Sequence, residues 1–235
     1  MRWPGYERTA TCEYSSTMTP SISIPVALLI GYLLGSIPFT QIVARWRKGL
    51  DLRTVGSGNV GGMNTIQNVG LFWGLLAGTL DVAKGFVAIV LTERLGAPHP
   101  WHLWAGLAAV AGHNWPVWLR FRGGKGIAVA MGIGAYVAFP EMLLGFLVGL
   151  GALKLTRNIV LTATVAFLTA IFLMPVFERP PEAGRALWGA VGIMVLATLP
   201  NAIRTLTTPG ALSDYMKNPM KVYEKPTETD ESNSQ

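Results

Sequence analysis

The sequence predicts an all-α, polytopic membrane protein with about seven transmembrane helices. Hydrophobic residues make up 51% of the 235-residue chain and charged residues only 14%, and the mean hydropathy is +0.40. Soluble domains carry about 25% charged residues, so this composition excludes an ordinary soluble domain. The apolar residues also fall into long stretches, and about 20 of them are enough for one helix to cross the hydrocarbon core.

The chain divides into one membrane domain between two polar ends. Residues 1–20 are rich in Ser and Thr and lack the apolar run of a signal peptide. The other end, residues 207–235, finishes with PTETDESNSQ. Both compositions are typical of disorder, so we predict a disordered N-terminal segment, a membrane domain over residues 21–206 and a largely disordered cytoplasmic tail.

Three spans are predicted before residue 120. Ile22–Trp46 is long enough for a tilted helix, and Pro38 should kink it because proline cannot continue the helical hydrogen bonds. Gly31 and Gly35 in this span could allow a close helix contact. Leu71–Leu91 forms the second span and His102–Leu119 the third.

Four further spans are predicted after residue 126. Ile127–Leu155 is too long for one simple span, so we interpret it as two short helices that meet near Pro140. Glu141 is expected to be a turn residue at the outer surface. Ile159–Phe177 and Leu187–Ile203 complete the set.

The distribution of basic residues predicts the orientation. Thirteen lysines and arginines fall on one side of these seven spans and five on the other. Cytoplasmic loops carry the excess of Lys and Arg, so we place the N-terminus outside and the C-terminus in the cytoplasm, in a plasma or inner membrane. The net charge of +6 and the pI near 9.7 therefore fit an anionic leaflet and not nucleic acid.

Two glycine-rich loops face the cytoplasm in this orientation. The first, Asp51–Asn64, reads DLRTVGSGNVGGMN, and the second, Phe121–Gly126, reads FRGGKG. Glycines let backbone N–H groups approach a ligand closely, and successive N–H groups form concave anion sites. The loops therefore predict a site for a phosphorylated molecule at the bilayer surface. The alternative is that they are flexible linkers, which seldom carry so many polar side chains.

Ionisable residues inside the spans form a second signal. Asp81 and Lys84 lie at i, i+3 on one helix face, and such residues mark either a function or a buried pair. His113, in the third span, is either a general base or a side chain that satisfies backbone groups freed by Pro116. Cys12 is the one cysteine, which excludes an intramolecular disulfide. No histidine has the spacing of a metal pair, so we expect neither a metal nor a cofactor.

Four stretches of the chain resemble the bacterial acyl-phosphate:glycerol-3-phosphate acyltransferases, the PlsY family. They are GSIPF from Gly35, the first glycine-rich loop, DVAKG from Asp81, and GHNWPVWLRFRGGKGIA from Gly112. The resemblance covers about residues 25–135. It implies an inner-membrane enzyme that moves an acyl chain from acyl phosphate to the 1-hydroxyl of sn-glycerol 3-phosphate. The products would be lysophosphatidic acid and inorganic phosphate.

The resemblance is incomplete in two places. The family's GATN is GGMN here, and Gln67 replaces an arginine that follows it. In the C-terminal motif Asn201 and Arg204 match, whereas Thr198 and Gly210 replace a histidine and a glutamate. A non-catalytic or altered-substrate homologue is therefore an alternative, as is a small transporter of a phosphorylated metabolite. The sequence leaves the oligomeric state open.

The resemblance also implies the site residues. We expect catalysis by direct attack without an acyl-enzyme, since no Ser-His-Asp set is evident, and assign catalytic roles to Ser36, Arg53 and His113. Positioning and charge stabilisation would carry most of the rate. The residues expected to bind substrate or phosphate are Ser57, Gly58, Asn59, Asn64, Lys84, Gly123, Gly124, Lys125, Gly126 and Asn201.

Overall fold

A computed structural model of the chain describes residues 22–156 and 158–207. These residues form helices and loops, and no strand occurs among them. The helices are α1 (Ile24–Ser36), α2 (Phe39–Lys48), α3 (Gly62–Asn68), α4 (Leu71–Arg94), α5 (Trp101–Asn114), α6 (Ile127–Val137), α7 (Phe139–Thr156), α8 (Ile159–Leu173) and α9 (Pro181–Thr207), with a 3₁₀ turn at Val117–Leu119. The two ends predicted to be disordered fall outside the described residues, apart from Thr207.

The first predicted span is broken in two at Ile37–Pro38, as the proline predicted. Ile37 is extended (φ −63°, ψ 114°), as expected for a residue before proline, and α2 begins directly after Pro38. The break turns the end of α1 into a polar corner, because the carbonyl of Ile37 is released from helical hydrogen bonding.

Small residues bring α1 against α5. A side-chain carbon at Gly31 or Gly35 would overlap the backbone carbonyls of Ala105 and Ala109 respectively. Gly112 in turn lies against the backbone of Tyr32 and Ser36. The predicted close contact of Gly31 and Gly35 is therefore confirmed, and it sets the end of α1 beside the end of α5.

The apolar core lies between α4, α5, α6, α8 and α9. Ile89, Val110, Ile133, Phe167 and Leu187 are all fully buried there. This core fixes the relative positions of α4 and α5, the two helices that carry the buried ionisable residues.

The predicted break near Pro140 is also confirmed, since α6 ends at Val137 and α7 starts at Phe139. The interpretation of Glu141 was wrong. Its carboxylate is fully buried and accepts hydrogen bonds from Nε and Nη2 of Arg179. Residues so far apart in sequence are brought together only by the packing of α7 against the loop before α9.

Three helical stretches of the described residues are long and apolar enough to cross a membrane: Ile24–Lys48, Leu71–Arg94 and Pro181–Pro200. Two shorter apolar helices, Ile127–Val137 and Ile159–Leu173, accompany them. The protein is an all-α, multi-pass membrane protein, and the count of seven spans and the orientation remain predictions.

Candidate active site

The first glycine-rich loop is folded around the side chain of Asn64. Its Nδ2 donates to three loop carbonyls, those of Leu52 (3.0 Å), Val55 (3.2 Å) and Asn59 (3.0 Å). Its Oδ1 accepts from the backbone N–H of Ser57 (3.2 Å) and from Nδ2 of Asn68 (2.9 Å). Asn64 is 1% exposed, so the predicted phosphate contact does not fit: both ends of this amide hold the loop instead.

Glycine is required where the loop closes over Asn64. Gly56 has φ +53°, and a side chain there would overlap Oδ1 of Asn64, so only glycine fits. The sequence analysis missed α3, which contains Asn64 and ends the loop. A seven-residue helix of composition GMNTIQN has weak intrinsic helix propensity, and its packing against α4 stabilises it.

Four backbone N–H groups of this loop, those of Ser57, Gly58, Asn59 and Gly61, already have acceptors. The N–H of Gly58 donates to the carbonyl of Val55 (3.1 Å), and that of Gly61 donates to the carbonyl of Asn59 (3.0 Å). The backbone N–H of Asn59 donates to Oγ of Ser57 (3.4 Å). The loop itself therefore uses part of the predicted backbone cradle for phosphate. The partly exposed side chains of Ser57 and Asn59 remain able to contact a ligand.

Arg53 connects the first glycine-rich loop to the 3₁₀ turn that precedes the second. Its Nε and Nη2 bind the carboxylate of Asp51 (2.9 and 2.6 Å), and its Nη1 donates to the carbonyl of Leu119 (3.3 Å). Hydrogen bonding to Arg53 holds the pKa of Asp51 well below its usual range and raises that of Arg53. A phosphate bound beside Arg53 must therefore share this cation with Asp51.

The second glycine-rich loop caps the end of α5. The N–H groups of Gly123 and Gly124 donate to the carbonyls of Asn114 (3.1 Å) and His113 (3.0 Å). The prediction that these two N–H groups bind phosphate does not fit this geometry, because they satisfy helix carbonyls instead. Gly126 adopts φ +77° at the start of α6, which also favours glycine.

Lys125 extends this loop and is partly buried. Burial lowers the pKa of its ammonium to about 8. A cation held in partly desolvated surroundings can bind an anion more strongly than one in open solvent. The predicted phosphate contact of Lys125 is compatible with this position.

The buried ionisable residues meet beneath the loops. Nζ of Lys84 donates to the carbonyl of Ile37 (2.9 Å) and lies 3.0 Å from Nδ1 of His113 and 3.0 Å from Oδ1 of Asp81. The side chains of Lys84, Asp81 and His113 are 3%, 2% and 6% exposed. Lys84 is thus surrounded by protein groups, and the predicted direct contact with phosphate does not fit.

The contact between Lys84 and Asp81 is an ion pair without the alignment of a hydrogen bond, and Oδ1 of Asp81 has no hydrogen-bond partner in the described residues. The sequence left open whether Asp81 and Lys84 form a buried ion pair. The structure contains this pair, and Lys84 also contacts His113, which was not expected. Neither the His113 contact nor that to Ile37, 47 residues away, has a signal in the local sequence.

Other buried polar oxygens lie on α1, α2 and α5. Oγ of Ser36, Oγ1 of Thr40 and Oδ1 of Asn114 have no hydrogen-bond partner among residues 22–156 and 158–207. Ser36 and Thr40 flank the break between α1 and α2, and Asn114 ends α5. Thr40 and Asn114 were missed in the sequence analysis, although Asn114 directly follows His113 in the stretch GHNWPVWLRFRGGKGIA.

The two glycine-rich loops converge on His113. A side chain at Gly124 would overlap Nε2 of His113 and would come within 2.6 Å of the carbonyl oxygen of Val60, in the first loop. The structure thus brings Ser36, Lys84, His113 and Gly124 to one corner, with Arg53 and Asn64 in the neighbouring loop. The side chain of Asn201 lies outside the described part of the chain.

Comparisons with known proteins identify several that are similar to this chain. Residues 25–208 match the family described as glycerol-3-phosphate acyltransferase. Glycerol-3-phosphate acyltransferase 2 of Dehalococcoides mccartyi is 36% identical over 181 residues, which cover 76% of this chain and 84% of that protein. The glycerol-3-phosphate acyltransferase of Parasynechococcus marenigrum is 39% identical over 163 residues, covering 69% of this chain and 77% of that protein.

Two crystal structures of PlsY (YgiH), an integral membrane glycerol 3-phosphate acyltransferase, share the fold. The glycerol 3-phosphate form has a TM-score of 0.68 and 33% identity, and the lysophosphatidic acid form has a TM-score of 0.69 and 32% identity. Each match covers 79% of this chain and 93% of the PlsY chain.

Proposed function

This chain belongs to the glycerol-3-phosphate acyltransferase family, and we propose that it transfers a fatty acyl group from acyl phosphate to the 1-hydroxyl of sn-glycerol 3-phosphate. The products are lysophosphatidic acid and inorganic phosphate. The solved PlsY structures in glycerol 3-phosphate and lysophosphatidic acid forms support this acceptor and this product. The choice of acyl phosphate as donor rests on the motif resemblance and on the chemistry below.

The observation that carries the proposal is the meeting of both glycine-rich loops at His113. An acyl phosphate is a mixed anhydride with a good leaving group, so the enzyme needs mainly to position two anionic substrates and to stabilise the transition state. The acceptor oxygen bonds to the acyl carbon, the bond from that carbon to the phosphate oxygen breaks, and the hydroxyl proton leaves on the phosphate. Direct attack fits Ser36, whose buried hydroxyl lacks an activating partner among the described residues.

Side chains on the two loops are the proposed phosphate ligands. Lys125 and Arg53 supply positive charge, while Ser57 and Asn59 supply hydrogen-bond donors. Asn201 is the proposed contribution of α9. Gly124 and Gly126 act through their small size, since a side chain at either position would overlap a group at the end of α5.

The membrane setting follows from the same proposal. With the N-terminus outside and the C-terminus in the cytoplasm, both loops face the cytosol of a plasma or inner membrane. Glycerol 3-phosphate would arrive from the cytosol, and the acyl chain would remain in the cytoplasmic leaflet.

The test is an assay of the purified full chain in lipid nanodiscs. A long-chain acyl phosphate and glycerol 3-phosphate should give lysophosphatidic acid and phosphate in equal amounts, measured by mass spectrometry and phosphate release. Acyl-coenzyme A and acyl carrier protein thioester are the comparison donors. Product formation from a thioester but not from acyl phosphate would contradict the proposed donor.

An altered acceptor is the second candidate, and one observation favours it. Thr198, which stands where the family has a histidine, directs its hydroxyl to the carbonyls of Met194 and Val195 in its own helix (both 3.0 Å). It therefore does not replace that histidine as a ligand. The same assay with other phosphorylated polyols, competed against glycerol 3-phosphate, decides between the two acceptors.

A further inference from the structure

We propose that His113 donates a hydrogen bond through Nε2–H to the oxyanion that forms on the acyl carbonyl, and that Lys84 is the positioning residue that fixes this tautomer. This inference rests on the proposed acyl transfer for the identity of the oxyanion. It replaces the general-base role that the sequence suggested for His113.

The contact between Lys84 and His113 determines which ring nitrogen carries the proton. An ammonium has three donors and no acceptor. At 3.0 Å from Nζ, Nδ1 must therefore be the unprotonated, accepting nitrogen. In a neutral imidazole the proton then resides on Nε2.

The surroundings of Lys84 hold it in the donating form. Oδ1 of Asp81 at 3.0 Å supplies the negative charge that favours an ammonium. The carbonyl of Ile37 at 2.9 Å takes a second donor, which orients Nζ. Lys84 and Asp81 lie on α4, His113 lies on α5, and Ile37 lies at the break after α1. The packing of these elements therefore sets the tautomer of His113.

Asp81 cannot take over the role of Lys84 toward the ring. Its Oδ1 lies 3.8 Å from Nδ1 of His113, which is too long for a hydrogen bond. A proton on Nδ1 would have no acceptor there and would point at the ammonium. Both the neutral Nδ1–H form and the doubly protonated imidazolium are therefore disfavoured by this arrangement.

The other ring nitrogen faces the loops. Nε2 lies next to Gly124, where any side chain would overlap it. The carbonyl of Val60 borders the same space. The Nε2 proton is thus presented where the two glycine-rich loops meet.

A donor at this place has a definite use. During attack on the acyl carbonyl, negative charge accumulates on the carbonyl oxygen, and a preorganised N–H stabilises it most in a water-poor site. His113 stabilises this charge and takes up no proton. The hydroxyl proton leaves with the released phosphate, so the reaction balances without a protein base.

The direct test is ¹⁵N NMR of the full chain in nanodiscs with ¹⁵N-labelled histidine. The signals of His113 are identified by their loss in His113→Gln. We expect Nδ1 unprotonated and Nε2 protonated at neutral pH. A proton on Nδ1 of the wild-type protein would overturn the proposal, and this readout does not depend on acyltransferase activity.

A paired substitution tests the positioning role of Lys84. Asp81→Asn with Lys84→Met removes both charges together and so avoids leaving a buried unpaired ion. We expect the tautomer preference of His113 to be lost in the NMR spectrum. We also expect kcat to fall by about tenfold or more while KM for glycerol 3-phosphate stays within about twofold. A raised KM with unchanged kcat and an unchanged tautomer would make Lys84 a phosphate ligand and contradict its positioning role.

Kinetics of two His113 variants separate donor from base. Glutamine can place an amide N–H near the position of Nε2–H but cannot act as a base of comparable strength. His113→Gln should therefore retain at least about tenfold more activity than His113→Ala. Equal loss in both, together with the wrong tautomer, rejects the donor role. If wild-type protein shows the predicted tautomer but no acyl transfer, the proposed reaction fails and the Lys84–His113 assignment stands.

Discussion

Two buried ion pairs in this protein differ in how completely their charged groups are paired. Near the start of α7, the carboxylate of Glu141 uses both oxygens to bind Arg179 in a two-point contact. Near the end of α5, the ammonium of Lys84 contacts Asp81, His113 and the carbonyl of Ile37. Oδ1 of Asp81 receives no aligned hydrogen-bond donor. In the first pair, which we call the saturated pair, both carboxylate oxygens receive a hydrogen bond from the partner. In the second pair, the lysine also contacts a third residue, His113.

This difference indicates which buried ion pair belongs to a substrate-binding site and which one only stabilises the fold. A charge removed from water needs a partner and hydrogen bonds, and Glu141 obtains both from Arg179. On α1, α2 and α5, polar oxygens of Ser36, Thr40 and Asn114 also have no partner among the described residues. Incomplete satisfaction of several neighbouring groups is unusual in a folded interior. We take it as the mark of a site that binds substrate.

Breaking the saturated pair should give the largest effect on stability. Arg179→Leu leaves the carboxylate of Glu141 buried and unpaired, and we expect a loss of about 3–5 kcal/mol. Activity per folded molecule should change little, because Glu141 follows the C-terminal end of α6, whereas Gly126 at the N-terminal end of α6 packs against Asn114 beside His113. Reversible unfolding in mixed micelles measures the stability. The double variant Glu141→Gln with Arg179→Met is the control and should recover much of the loss. A double variant as unstable as the single one would show that this pair is not independent scaffold.

Filling the space beside His113 should give the largest effect on activity. The side chain of Gly124→Ala would overlap Nε2 of His113 and crowd the backbone carbonyl of Val60, so the loops must separate. We expect kcat/KM to fall by about a hundredfold, the loss of roughly 2.7 kcal/mol of transition-state stabilisation. Gly78→Ala is the matched control, since nothing lies within 4 Å of the added carbon. Wild-type kinetics in Gly124→Ala would show that the loops do not form the site.

The pH dependence of substrate binding should distinguish Lys125 from the buried pair. Burial lowers the pKa of Lys125 to about 8, so its charge is present below that pH and is lost as the pH rises through it. We expect KM for one phosphorylated substrate to rise by up to about tenfold between pH 7 and 9, because a charge-assisted contact is lost. In Lys125→Arg the guanidinium stays charged and the rise should vanish. An identical pH profile in that variant would assign the effect to another group.

The smallest expected effect is at Gly58, in the first loop. Its φ is +66°, but an added side-chain carbon would meet only the carbonyl of Arg53, at 3.5 Å. Gly58→Ala should therefore cost about 1–2 kcal/mol of loop stability from the left-handed backbone, with a several-fold loss of activity. Hydrogen exchange of the loop amides and steady-state kinetics measure the two effects. A loss as large as in Gly124→Ala would mean that Gly58 contacts substrate.

The sequence by itself determined the features that depend on local sterics and on composition. Apolar stretches gave an all-α membrane protein, and proline placed the breaks at Pro38 and near Pro140, because it cannot continue a helix. The glycine-rich motifs indicated the loops that form the site and the family to which the chain belongs. These features need only neighbouring residues, so they can be read along the chain.

Only the tertiary structure decided which polar groups meet. Lys84 reaches His113 across 29 residues and Ile37 across 47, because glycines let α1 pack closely against α5. The packing of α7 against the loop before α9 buries Glu141 against Arg179. The fold of the second glycine-rich loop directs the N–H groups of Gly123 and Gly124 to carbonyls of α5. Hydrogen bonds act over about 3 Å, and such distances between remote residues are set by how helices pack. Because of this packing, Lys84, which was predicted to bind phosphate, contacts His113 instead.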